Sequence, residues 1–152
     1  MFCDIVGSTA LSTRYDPEDL REVIGGYLER RLILLHSLPE GFDRDGSEID
    51  LQLALAFCLL TAKGAVEAKL PYMRALELAE NSGSPQQRFE SLYGVWQSTN
   101  MPGGSAAANP LSVRLLSMTE QEGDDGLRLQ AHHSAWATWA FAGDPARNSR
   151  AH

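Results

Sequence analysis

Ser47-Glu48-Ile49-Asp50-Leu51-Gln52-Leu53-Ala54-Leu55-Ala56-Phe57-Cys58-Leu59-Leu60-Thr61-Ala62-Lys63, followed by Gly64, is the stretch whose reading decides the fold. Ser47 is a residue type that caps a helix and Gly64 is one that stops it, so the segment reads as one helix over 47–63. Ile49, Leu51, Leu53, Leu55, Phe57, Leu59 and Leu60 then nearly encircle the helix axis. A helix that is apolar on almost every side needs neighbours on more than one side. It is also too short to span a bilayer. Both points make it a buried helix inside a pack of other helices.

Upstream, Asp16-Pro17-Glu18-Asp19 has the form of a helix start: a capping acid, a proline suited to the first turn, and two acids at the positive end of the dipole. Leu20, Val23, Ile24, Tyr27, Leu28, Leu32 and Leu35 follow at helical spacing, and Pro39 lies just past the end. Gly25-Gly26 interrupts this pattern at a propensity cost of roughly 2 kcal/mol relative to alanine. Downstream, Leu70, Met73, Leu76 and Ala79 form another stripe, with Pro71 marking either a start near Leu70 or a kink. Phe89, Leu92, Val95 and Trp96 predict a helix over 86–99. Residues 102–109 read as a loop, and Asn109-Pro110 as the start of a helix carrying Leu111, Leu115 and Met118. Gly123 to Gly126 punctuate the chain before a last helix with Leu127, Leu129, Trp136, Trp139 and Phe141.

Helix starts near 47, 86 and 126 stand about 40 residues apart, each interval holding two helical segments, with the third cut off after its first. Stacked helical hairpins produce this spacing, and an irregular helical bundle also accommodates it. The expected class is therefore all-α, with antiparallel helical hairpins in a truncated array and a short extended segment at the N-terminus. The last residues, 147–152, are too polar to pack and are expected to fray.

Composition narrows the function classes. The chain has 152 residues, enough for one domain with a real core, and a formal charge of -7 from 20 acidic and 13 basic residues. That balance gives no general attraction for nucleic acid or anionic membrane. Cys3 and Cys58 form neither a disulfide framework nor a metal spacing, which fits a reduced, cytoplasmic setting. No basic region followed by an apolar run opens the chain, so no secretion signal is expected.

Residues 2–11, Phe2-Cys3-Asp4-Ile5-Val6-Gly7-Ser8-Thr9-Ala10-Leu11, with Tyr15-Asp16-Pro17-Glu18-Asp19-Leu20 after them, closely resemble the opening of bacterial class III adenylate/guanylate cyclase domains. The resemblance implies a strand, a phosphate-facing turn and a helix. It assigns metal binding to Asp4 and the carbonyl of Ile5, and phosphate contact to Gly7, Ser8 and Thr9. It covers only about 25 residues. A pair of magnesium ions wants near-octahedral oxygen shells that one carboxylate does not supply. The family's second aspartate sits in a hairpin some forty residues on, where this chain reads Asp45-Gly46 and leads straight into a helix. Asp45-Gly46 is accordingly read as a loop.

From about Leu28 the sequence resembles instead the tetratricopeptide-like (TPR-like) C-terminal region of large bacterial proteins that join a cyclase domain, an ATPase and helical repeats. Leu28-Glu29-Arg30, Leu51-Gln52-Leu53-Ala54-Leu55 and Tyr72-Met73-Arg74-Ala75-Leu76-Glu77-Leu78 carry this likeness. No Gly-Lys-Ser/Thr phosphate loop occurs in the chain. The expected organisation is a vestigial cyclase start over 1–25, a TPR-like domain over 26–146 and a tail over 147–152, the product of an internal deletion. The expected function is a non-catalytic helical-repeat fragment of a signalling protein, acting through a protein partner or self-association, with no cofactor. The alternative is a cyclase-related chain using Mg²⁺ or Mn²⁺ and active only with a complementing cyclase chain.

Three further features have plainer readings. Asp43, Asp45, Ser47 and Asp50 lack the closing glutamate of a calcium loop, since position 54 is alanine, and read as an acidic turn before a helix. His132 and His133 are adjacent and point about 100° apart on a helix, so they cannot share a metal as an i, i+4 pair does. One is expected at a helix junction and the other in solvent. Trp96, Trp136 and Trp139 are expected to pack between helices, with Trp139 and Phe141 left partly open if the array is truncated.

Overall fold

A computed structural model describes residues 16–39, 41–122 and 124–142. The described residues form six helices: α1 (Pro17–His36), α2 (Phe42–Ala62), α3 (Ala65–Ser82), α4 (Pro85–Thr99), α5 (Ser105–Glu122) and α6 (Asp125–Ala142). No strand occurs among the described residues. The extended segment expected at 2–6 and the tail at 147–152 lie outside them. Each helix packs antiparallel on the next, and α2, α4 and α6 also touch in succession.

The expected helices are all present, and several begin earlier than local signals suggested. α1 runs through Gly25-Gly26 without a break, so the expected boundary near residue 25 falls inside a helix. α2 begins at Phe42, and Ser47 does not cap it; its hydroxyl donates instead to the Asp43 carbonyl one turn back. Asp43 and Asp45 therefore lie in the first turn of α2, where they favour its dipole, and Asp45-Gly46 is helical rather than a loop. α5 begins at Ser105, so the loop expected over 102–109 ends at Gly104. Ala106, Ala107 and Ala108 are strong helix formers, and Ala108 is completely buried, which draws the helix start ahead of Pro110. Pro71 likewise sits inside α3. Each proline removes one bond to the carbonyl four residues back, at Glu67 and Ala106, and both of those residues face solvent, where water replaces the bond.

Short, chemically explicit links join the helices. Gly64 adopts φ 105°, a left-handed conformation that lets α2 turn into α3 in two residues. α4 opens on a capping box: the Gln87 amide donates to the Ser84 hydroxyl, and the Ser84 amide donates to the Gln87 side chain. The Asp124 carboxylate accepts from the amides of Gly126 and Leu127 at the start of α6.

The near-encircling apolar surface of α2 is explained by its neighbours. Leu55, Leu51 and Cys58 meet Leu28, Leu32 and Ile24 of α1. Ile49 meets Ala75 and Ala79 of α3, and Ala56 meets Ala68 and Tyr72 of α3 and Val95 of α4. A fourth cluster, of Phe89, Leu92, Trp96, Ala108, Leu115 and Ala131, joins α4 to α5 and α6.

Burial recurs at a spacing of 40 residues. α3 and α5 match in length at that offset, and α4 and α6 begin 40 residues apart. Leu28, Ala68 and Ala108 are buried, as are Leu32, Tyr72 and Ser112. Ser91, Gly94 and Ser98 in α4 match Ala131, Ser134 and Thr138 in α6, and all six are buried. The helices thus group most simply as α1–α2, α3–α4 and α5–α6, one helix out of step with the grouping expected from starts near 47, 86 and 126.

Gly94 of α4 leaves the space that the Tyr72 ring of α3 occupies. A Cβ placed there would stand within the Tyr72 ring, itself buried against α2 and α4. Alanine is the better helix former by about 1 kcal/mol, yet Gly94→Ala is expected to destabilise the protein by about 1–3 kcal/mol through overpacking. Urea unfolding monitored by circular dichroism tests the sign, and Tyr72→Ala should abolish the penalty in the double variant.

Candidate functional site

The 40-residue correspondence fails at one surface. Positions 49, 89 and 129 hold Ile, Phe and Leu; positions 56, 96 and 136 hold Ala, Trp and Trp. Ile49 and Phe89 are 0% and 1% exposed because the next hairpin covers them, whereas Leu129 is 72% exposed. Trp96 is 3% exposed and Trp136 is 68% exposed. Trp139 is 78% exposed, and Phe141 is also exposed. α6 therefore presents to solvent the face that α2 and α4 bury. Between α6 and α5 this face opens into a groove of about 450 Å³, lined by Ser112, Val113 and Leu116 on one side and His132, Trp136 and Trp139 on the other.

The buried counterpart shows what such a face does when covered. Trp96 Nε1 donates to Thr138 Oγ1 at 2.8 Å, so the indole is satisfied across the α4–α6 contact. His133 stands edge-on to Trp96 with ring centres 5.9 Å apart, and its Nδ1 lies 3.2 Å from the Tyr93 hydroxyl. Burial raises the Tyr93 phenol pKa, keeping it a neutral hydrogen-bonding group. His132 faces the groove. The two histidines thus divide as expected, one at a helix junction and one in solvent.

A second polar cluster ties the other end together. The Glu48 side chain is fully buried in α2; its Oε1 accepts from Arg74 Nε of α3 at 2.8 Å, and its Oε2 lies 3.3 Å from His36 Nε2 at the end of α1. The latter is an ion-pair contact rather than an aligned hydrogen bond. Burial alone raises the Glu48 pKa, but the hydrogen bond and charge of Arg74, joined by the close His36 contact, outweigh it and hold the carboxyl below its usual range. Arg74 also pairs with Glu77, and Arg114, 40 residues on, pairs with Glu80 across α3 and α5. Glu48 was not singled out in the sequence; the available signal, an acid beside Ile49, is shared with the exposed Asp50.

Cys58 is half-buried among the α1–α2 leucines, and desolvation raises its pKa despite the charge of Arg21, so it behaves as a small apolar group. No cluster of three or more metal-ligating side chains occurs among the described residues. No helix among them is long and apolar enough to cross a membrane. Asp4, Ile5, Gly7, Ser8 and Thr9, the residues assigned by the cyclase resemblance, lie outside the described residues.

Comparison with protein-family models, curated proteins and solved structures finds no match to this chain. The open α5–α6 face is therefore the candidate site on its geometry alone.

Proposed function

We propose that this chain is a non-catalytic helical scaffold of TPR-like hairpins whose role is protein–protein interaction through the α5–α6 face. One observation carries this reading: residues at 129 and 136 are open where their counterparts 40 residues earlier are core. An apolar surface of this kind, with two tryptophans, is what interaction sites expose. The likeness to the repeat region of cyclase/ATPase/TPR signalling proteins supports the same reading, as does a cytoplasmic setting for its reduced cysteines.

A photo-crosslinking residue placed at 136 in cells making the protein should give discrete protein adducts, while one at the exposed Glu120 should give few. Equal, diffuse labelling at both positions would defeat the proposal. The second reading, a cyclase-related chain, rests on residues 2–20. Incubation with ATP or GTP and Mg²⁺ or Mn²⁺ is expected to yield no cyclic nucleotide, alone or with an intact cyclase chain, and a yield in the mixed sample would favour that reading.

A further inference from the structure

Leu129, His132, Trp136 and Trp139 are spaced i, i+3, i+7 and i+10, the a/d spacing of a helix–helix seam. They lie opposite the face that α6 buries through Ala131, Ser134 and Thr138. The spacing is also self-complementary. When two such helices run antiparallel about a two-fold axis beside residue 134, Leu129 of one meets Trp139 of the other, and His132 meets Trp136. We infer that a second copy of this chain covers this face, α6 against α6, with Trp136 of each copy entering the α5–α6 groove of the other. This rests on the interaction reading above and names its partner.

Three observations favour a second copy. The first is charge. The chain carries a formal -7, which opposes self-association over most of its surface. Residues 129–142, however, contain no Asp, Glu, Lys or Arg, so two α6 faces meet without like charges opposed. The second is area. Taking about 200 Å² for an aromatic side chain, the exposed parts of Leu129, Trp136, Trp139 and Val113 offer on the order of 500 Å², approaching the roughly 800 Å² per partner of a standard interface. The third is continuity. The same positions on α4, Phe89, Leu92 and Trp96, already make a helix–helix core with α5 and α6 inside the chain. A two-fold contact closes on itself and leaves no apolar end to propagate.

Sedimentation velocity of the purified full-length chain between roughly 1 and 500 µM tests this, with dissociation in the micromolar range expected for an interface at the small end of its class. Trp136→Glu and, independently, Leu129→Glu should weaken the dimer at least about tenfold, with helix content unchanged by circular dichroism because both side chains are open to solvent. Val66→Glu, at an exposed apolar position on α3, should leave it intact. A wild-type chain that stays monomeric at 500 µM, or a dimer that neither α6 variant weakens, overturns the inference. Crosslinks from position 136 to another protein, with the purified chain monomeric, would overturn self-pairing while the interaction reading stands. Absence of any specific crosslink would remove both.

Discussion

Arg74→Met is expected to destabilise the fold by about 3 kcal/mol at pH 7, the lower end of what breaking a buried ion pair costs. Glu48 is fully buried, and Arg74 supplies its one short hydrogen bond; without it the carboxylate keeps only the His36 contact. Methionine retains much of the arginine stem's packing, so the loss reports chiefly on the charge. Glu48→Gln should cost less, about 1–2 kcal/mol, because Arg74 is part-exposed and keeps Glu77.

The pH dependence separates this from a packing defect. In the native chain the folded Glu48 pKa is depressed, so its contribution is present above the unfolded value near 4.5 and is lost as pH falls through the folded one. Without Arg74, desolvation is left as the main influence and moves the folded value upward. Protonation then relieves the variant as pH falls through that raised value, so its deficit relative to wild type should begin to shrink above pH 4.5 and shrink further below it, as the wild type loses its own contribution. Urea midpoints at pH 7 and pH 4 measure both effects. A deficit under about 0.5 kcal/mol at pH 7, or one that does not change with pH, would show that the cluster contributes little.

Trp96→Ala is expected to cost about 3–5 kcal/mol, a large share of the 5–15 kcal/mol typical of a domain. The variant loses a buried indole at the centre of the α4–α5–α6 core and leaves Thr138 without its donor. Trp136→Ala, the same change 40 residues on, should move monomer stability by less than about 0.5 kcal/mol, since that side chain is 68% exposed. The pair is measured by urea unfolding well below micromolar concentration, where the expected dimer is dissociated. Equal costs at 96 and 136 would mean that the α6 face is covered within the monomer.

The helices were readable because helix formation is local: apolar spacing and the punctuating Gly64, Gly83 and Gly123 to Gly126 operate within a few residues. Starts were less readable, because the strongest local signals, Ser47 and Asn109-Pro110, lost to helix formers and burial just upstream. Gly25-Gly26 lies inside α1. Leu28 and Leu32, anchored on Leu55, hold α1 together across a propensity cost that sequence registers and packing overrides.

What the sequence determined by itself is the all-α class and the need of α2 for neighbours on several sides. Tertiary structure alone decided that Glu48 is paired to residues 12 and 26 positions away and that two tryptophans 40 residues apart have opposite fates. The physical reason is that a helix carries its own periodicity, whereas the covering of its apolar face is supplied by another helix. Trp96 receives that cover from α5 and α6. Trp136, an identical residue at the matching position, receives no such cover among the described residues and stands 68% exposed.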